Sequence, residues 1–221
     1  MSQRLLVWDV PTRVFHWLLV ISFTGAFLTA ESERNRDIHV VLGYTLLGLI
    51  LFRLVWGLIG TRYALFRSFW FKPSEIKDYV VSLIKAKPKH YVGHNPAGSV
   101  AVIALLTLGI ASSATGVVVF EDVGGDVLED VHNWVSYAML GIVGLHVAGV
   151  LVSSVMHREN LVRSMITGFK SVQPNQAINR THVWLGVIIL VTVIAFWIGY
   201  PATGLVGSNS AATNTQQHNE D

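Results

Sequence analysis

Apolar residues come in long blocks, and polar residues collect between them. Five blocks are long enough to cross a bilayer as a helix, which takes about 20 residues. They run from about Pro11 to Ala30, His39 to Gly60, Pro96 to Phe120, Val131 to Met156, and His182 to about Val206. The first has no A-x-A-like cleavage site and holds His16-Trp17 inside its apolar run, so it reads as a retained span, not a signal peptide. One shorter segment has a helical period instead. Ile76, Tyr79, Val80, Leu83 and Ile84 fall on one face, Ser74 is placed to cap after Pro73, and Lys77, Lys85 and Lys87 lie near the stripe. This predicts an interfacial helix on the inner leaflet. The end, 207–221, is polar and expected to be disordered.

Basic residues set the orientation. With the N-terminus cytoplasmic, 14 of the 16 Lys and Arg fall inside and only Arg34 and Arg36 fall outside. The segment from Glu121 to Asp130 carries acidic residues and no basic ones, and reads as an outer loop. The expectation is N-in, C-out. The net charge of +2 then reflects topology and not nucleic-acid binding.

Composition sharpens this. Hydrophobic residues make up 52% of the 221 and charged residues only 14%, against roughly 25% in soluble chains. The nine histidines stand beside no cysteine. That excludes disulfides, thiolate metal sites, cysteine-held iron–sulfur clusters and covalently attached haem. The fold class is all-α, an integral membrane helical bundle.

Depth gives four histidines a pattern. With a rise of ~1.5 Å per residue, His39 and His132 each lie about 3 Å below the outer surface, two residues past Asp37 and Asp130. His16 and His146 lie about 22 and 24 Å from that surface. His132 and His146 are 14 residues apart and share a helix face. An outer and an inner histidine pair, on three helices, is what bis-imidazole ligation of two b-type haems requires. A histidine-relay ion transporter without haem is the alternative, and it would usually place carboxylates within the spans. A membrane anchor subunit of a larger redox complex is a third reading.

Several motifs are family-like: Arg13-Val-Phe-His16-Trp17, His39-Val-Val-Leu-Gly43, Arg53-Leu-Val-Trp56-Gly57, His94-Asn-Pro-Ala-Gly98 and His132-Asn-Trp-Val through His146. Over about residues 5 to 170 the ordered set resembles the bacterial membrane cytochromes b of the nickel–iron hydrogenase cytochrome-b-subunit type, within the prokaryotic cytochrome b-561 superfamily. The resemblance implies axial roles for His16, His39, His132 and His146. It also implies two haem b, a quinone as substrate, and electron transfer to or from a hydrogenase-like or cytochrome c partner. It divides the chain into a four-helix di-haem core (1–170), a connector with a fifth span (171–206) and the tail (207–221). The shortest members have four spans, so the fifth helix departs from them.

Three further residues are candidates. Arg13 lies one turn below His16, and Arg53 lies well inside the second span; both suit the propionates of an inner haem. His94 precedes a helix start capped by Asn95 and suits a propionate or a quinone carbonyl. Gly43, Gly48, Gly116, Gly141, Gly144 and Gly149 leave room for close helices or a flat macrocycle. Trp8, Trp17, Trp56, Trp70 and Trp134 are placed as an interfacial belt. His90, His157, His182 and His218 receive no role.

Overall fold

The computed structural model describes residues 3–85 and 89–202. Lys87, the tail, His218 and the expected end of the fifth span near Val206 lie outside the described residues. The order is β1 (Gln3–Leu6), α1 (Val10–Thr29), α2 (Arg36–Ile59), α3 (Pro73–Ile84), α4 (Pro96–Phe120), α5 (Gly125–Met156), α6 (Leu161–Thr167), β2 (Phe169–Val172) and α7 (Val183–Ala202). Among the described residues, α1, α2, α4, α5 and α7 are long and apolar enough to cross a membrane.

The helix ends follow local chemistry. α1 starts where the Asp9 carboxylate accepts from the Thr12 N–H at 2.8 Å, with Pro11 in the first turn. α4 starts the same way, on Asn95 and the Gly98 N–H at 2.7 Å. α3 is capped differently from expectation. Its N-cap is Lys72, whose backbone N–H donates to Glu75, and Ser74 lies inside the first turn. α5 also begins earlier than expected. Gly124 takes a positive φ of 92°, and the helix runs from Gly125, so Asp126, Glu129 and Asp130 belong to its first two turns. Carboxylates there are stabilised by the positive end of the helix dipole. Only 121–124 remain as a loop.

α1 packs on α2, α2 on α4, and α4 along α5; α7 packs on α1 and touches α2. Phe15, Leu18, Leu49, Ile50, Leu106, Ile189 and Val193 form the core where α1, α2, α4 and α7 meet. Gly109 brings α4 close, because a Cβ there would sit 2.6 Å from Ile50. α5 contributes little to this core. It leans on α4, and among its 32 residues only Met139 and Ser153 are buried. Its face towards α1 and α2 is bridged by aromatic contacts instead, such as Phe27 with Tyr137 at 5.8 Å between ring centres.

One end of the bundle carries a cap. β1 pairs antiparallel with β2, Leu5 opposite Lys170, so residues before α1 are tied to residues after α5. Val7, Trp8, Tyr63, Val172 and Ile178 fill the space beneath. Gly168, at φ 87°, ends α6 and accepts from Val7 N–H at 2.8 Å; a Cβ would meet the Trp8 carbonyl at 2.7 Å. This ribbon was not expected from sequence. Nor were the positions of Trp8 and Trp56, which are buried in and under the cap and form no belt; Trp70 and Trp134 are exposed.

Candidate functional site

The histidines at the uncapped end are held from both sides. His39 opens α2 and His132 stands in the second turn of α5; their rings are 6.2 Å apart and nearly perpendicular, at 81°. The His39 Nδ1 lies 2.8 Å from the Ala26 carbonyl, and the His132 Nδ1 lies 3.0 Å from the Ser112 carbonyl. A carbonyl only accepts, so each Nδ1 carries the proton and each Nε2 keeps a free lone pair. Hydrogen-bonded orientation of this kind is the usual support of a metal-binding imidazole. Thr115 Oγ1 adds a contact to the His132 Nδ1 at 3.2 Å.

The cleft around this pair is lined by Phe23, Phe27, Gly43, Gly116 and Tyr137, with Glu31 at its mouth. It is open on one side. The glycines divide here. A Cβ on Gly116 would come within 3.0 Å of the His132 ring, so this glycine makes room for the imidazole. Gly43, Gly48, Gly141, Gly144 and Gly149 would meet nothing within 4 Å among the described residues. Packing between the described helices therefore does not account for those five.

At the capped end, His16 of α1 and His146 of α5 lie close enough to interact electrostatically, and His94 interacts with both. His146 lies 14 residues along the same unbroken helix as His132, about 21 Å away by the helical rise. This end collects buried polar atoms that have no hydrogen-bond partner among the described residues: His16 Nδ1, His94 Nδ1, Arg53 Nη1, Arg13 Nε and Ser99 Oγ. Leaving such groups unpaired costs roughly 1–3 kcal/mol each, more if charged. Their donors and nitrogens fit an anionic, metal-bearing group such as a haem with its propionates.

Each cation is placed by its own element. Arg53, 3% exposed, lies under the Phe66 and Phe69 rings, with its guanidinium carbon 5.0 and 5.3 Å from their centres. Arg13 Nη1 donates to the Ile166 carbonyl at 2.6 Å, which ties α1 to α6 and leaves Nε over. His94 packs between Trp8 at 5.0 Å and Phe69 at 4.2 Å. Burial first, and then Arg53, push its pKa down to about 3, so the ring is neutral.

Sequence reasoning missed Asp9 and Lys170. Asp9 is 1% exposed and, besides capping α1, accepts from Trp56 Nε1 at 3.2 Å and Thr61 Oγ1 at 2.5 Å. The Asp-Val-Pro-Thr run signals the cap, but not the two distant donors. His90 and His157, given no role, face each other at 5.5 Å. His182 packs on Trp56 at 5.3 Å and opens α7.

Comparisons agree with this architecture. Residues 7–168 match the family described as prokaryotic cytochrome b561. A probable Ni/Fe-hydrogenase B-type cytochrome subunit of Azotobacter vinelandii is 26% identical over 74% of this chain and 87% of its own length. Similarly named subunits are 23% identical in Rhodobacter capsulatus, over 77% and 82%, and 22% identical in Escherichia coli K12, over 75% and 90%. No solved structure matches. The chain is a multi-pass membrane b-type cytochrome of electron transfer, and it belongs to the prokaryotic cytochrome b561 family.

Proposed function

We propose that this chain holds two haem b groups and passes electrons across the bilayer between a quinone pool and a redox partner. His39 and His132 are the axial ligands of one, on the periplasmic side. His16 and His146 are those of the other, on the cytoplasmic side. The observation that carries this reading is the outer pair: two imidazoles on different helices, each with Nδ1 tied to a carbonyl and Nε2 free. Haem supplies one-electron chemistry when bound.

The chain's own residues do the rest. Arg53 and Arg13 offer unpaired guanidinium nitrogens to propionates at the cytoplasmic side. His94, neutral and with a buried unpaired Nδ1, suits a propionate or a quinone carbonyl. Phe23, Phe27 and Tyr137 line the cleft around the outer pair. The N-terminus lies in the cytoplasm and the C-terminus in the periplasm, as the basic residues argue. The names of the relatives favour a hydrogenase-like partner over a cytochrome c.

A reduced-minus-oxidised spectrum with a pyridine haemochrome count tests the proposal. Two haems per chain are expected. His16→Ala and His146→Ala should each remove one haem and leave the outer one. A purified protein with no b-type α-band, or single variants that still carry two haems, would refute it.

A further inference from the structure

Lys170 is the buried cation that the site above does not use. It lies on β2, whose residues alternate between exposed and buried, and it shares the inward face with Val172. An apolar side chain would fill that position at less cost, since a buried ion pair is commonly no better for stability than a well-packed apolar pair. Lys170 Nζ instead lies 3.4 Å from Glu159 and donates to the Val92 carbonyl at 3.0 Å and the Tyr91 carbonyl at 3.4 Å. It thus sits beneath the segment that leads into His94. On its other side, Glu159 lies 3.7 Å from His90 Nε2.

These side chains grade from water inwards: His90 is 50% exposed, Glu159 17% and Lys170 4%. Each can gain or lose a proton, and each lies next to the following one. Among the described residues, the surrounding charges are few. His157 faces His90, with its Nδ1 on the Ser153 carbonyl and its Nε2 on the Lys89 carbonyl. Lys89 is paired with Asp78 at 3.9 Å, and Arg158 shares the Glu159 connector. Beyond Lys170, His94 also interacts with Arg53, His16 and His146. Burial lowers the pKa of both Lys170 and His90, and Glu159 opposes this in each.

We propose that His90, Glu159 and Lys170 form a proton relay between the aqueous surface and a quinone bound beside His94. The proposal rests on the reading of quinone chemistry at this end. Reduction of a quinone takes two electrons, which the redox partner of the proposed function would supply, and two protons. For each O–H formed, an N–H of His94 breaks, and a proton from the Lys170 ammonium, held at the Val92 carbonyl two residues away, restores it. The neutral imidazole shuttles the proton without holding a charge. The Lys170 amine is recharged by the Glu159 carboxyl, and Glu159 by water through His90. Quinol oxidation runs the same steps outward.

Lys170→Arg separates relay from scaffold. Arginine keeps the cation and the ion pair but does not release a proton in this pH range. Glu159→Gln is the second variant, keeping size and losing titration. The purified full-length protein is reduced with a short-chain ubiquinol and with menadiol, and haem reduction is followed from pH 6 to 9. In parallel, dithionite-reduced protein is oxidised with ferricyanide, which needs no proton. Both variants should slow the quinol reaction by about tenfold or more and change its pH profile, as loss of a proton carrier does. Haem content and the ferricyanide rate should stay at wild-type values. A quinol rate unchanged in Lys170→Arg, or a parallel fall of both rates, would overturn the relay. Wild-type protein that contains haem but reacts with neither quinol would instead overturn the quinone reading beneath it.

Discussion

Gly116→Ala is a one-methyl test of the proposed outer haem site. The added Cβ would lie 3.0 Å from His132 Cε1 and 3.3 Å from its Nδ1, where ordinary contacts begin near 3.4 Å. The backbone of α4 is fixed between α2 and α5 by Gly109 against Ile50 and Met139, so the imidazole must yield. A displacement of about 0.5 Å would stretch the 3.0 Å bond from His132 Nδ1 to Ser112 O to the edge of hydrogen bonding. It also exceeds the ~0.2 Å tolerance of metal–ligand distances. Disturbing such supporting contacts typically costs 10–100-fold in affinity, or about 1.4–2.8 kcal/mol. The variant should therefore purify with the inner haem at full occupancy and the outer one depleted. The assay is a haemochrome count beside a redox titration of the α-band. Gly199→Ala, where a Cβ meets nothing within 4 Å, serves as the control. Two haems of unchanged potential in Gly116→Ala, after dilution to submicromolar protein, would refute the placement of His132 as a ligand.

Three further outcomes follow from buried groups. Arg53→Gln should lower the midpoint potential of the inner haem, by roughly 60 mV for each 1.4 kcal/mol of lost cation stabilisation of its reduced form, read by redox titration. Asp9→Ala removes a helix cap and orphans Trp56 Nε1 and Thr61 Oγ1, so it should cost about 3 kcal/mol, seen as a lower Tm in detergent. For His94, the folded pKa of about 3 lies below the ordinary 6.5, so between those values the unfolded chain binds a proton that the native chain refuses. Stability from this group is full above pH 6.5 and falls as pH drops towards 3, with a slope approaching 1.4 kcal/mol per unit. His94→Asn should flatten that slope in pH-dependent melting curves, and an unchanged slope would show that the titration lies elsewhere.

The spans were legible because a bilayer demands continuous apolar runs, and that demand leaves little freedom in where a run starts. Pro96–Phe120 is the same in sequence and structure, with Asn95 and Pro96 marking its start. The start of α5 was hidden because Asp126, Glu129 and Asp130 look like a loop by charge and are helical by dipole. The pairing of His39 with His132 could be read from depth, since rise per residue is fixed in a helix. The companions of Asp9 and Lys170 could not, because Trp56, Thr61 and Tyr91 are brought in by folding from far along the chain. The four-residue strands β1 and β2 are too short for an alternation to register.

The β1–β2 ribbon also imposes an order of assembly. β1 is made before its partner, which is not available until synthesis has passed α1, α2, α4 and α5. A contact spanning residues 3 to 172 is late by construction, because the intervening loop must close before the pairing returns any stability. Until then Val7 and Trp8 have no Val172 or Ile178 to pack against, and the end of the bundle that holds His16, His94 and His146 stays uncovered. The ribbon thus acts as a late closure, fastened after α1, α2, α4 and α5 are in place and before α7 is made.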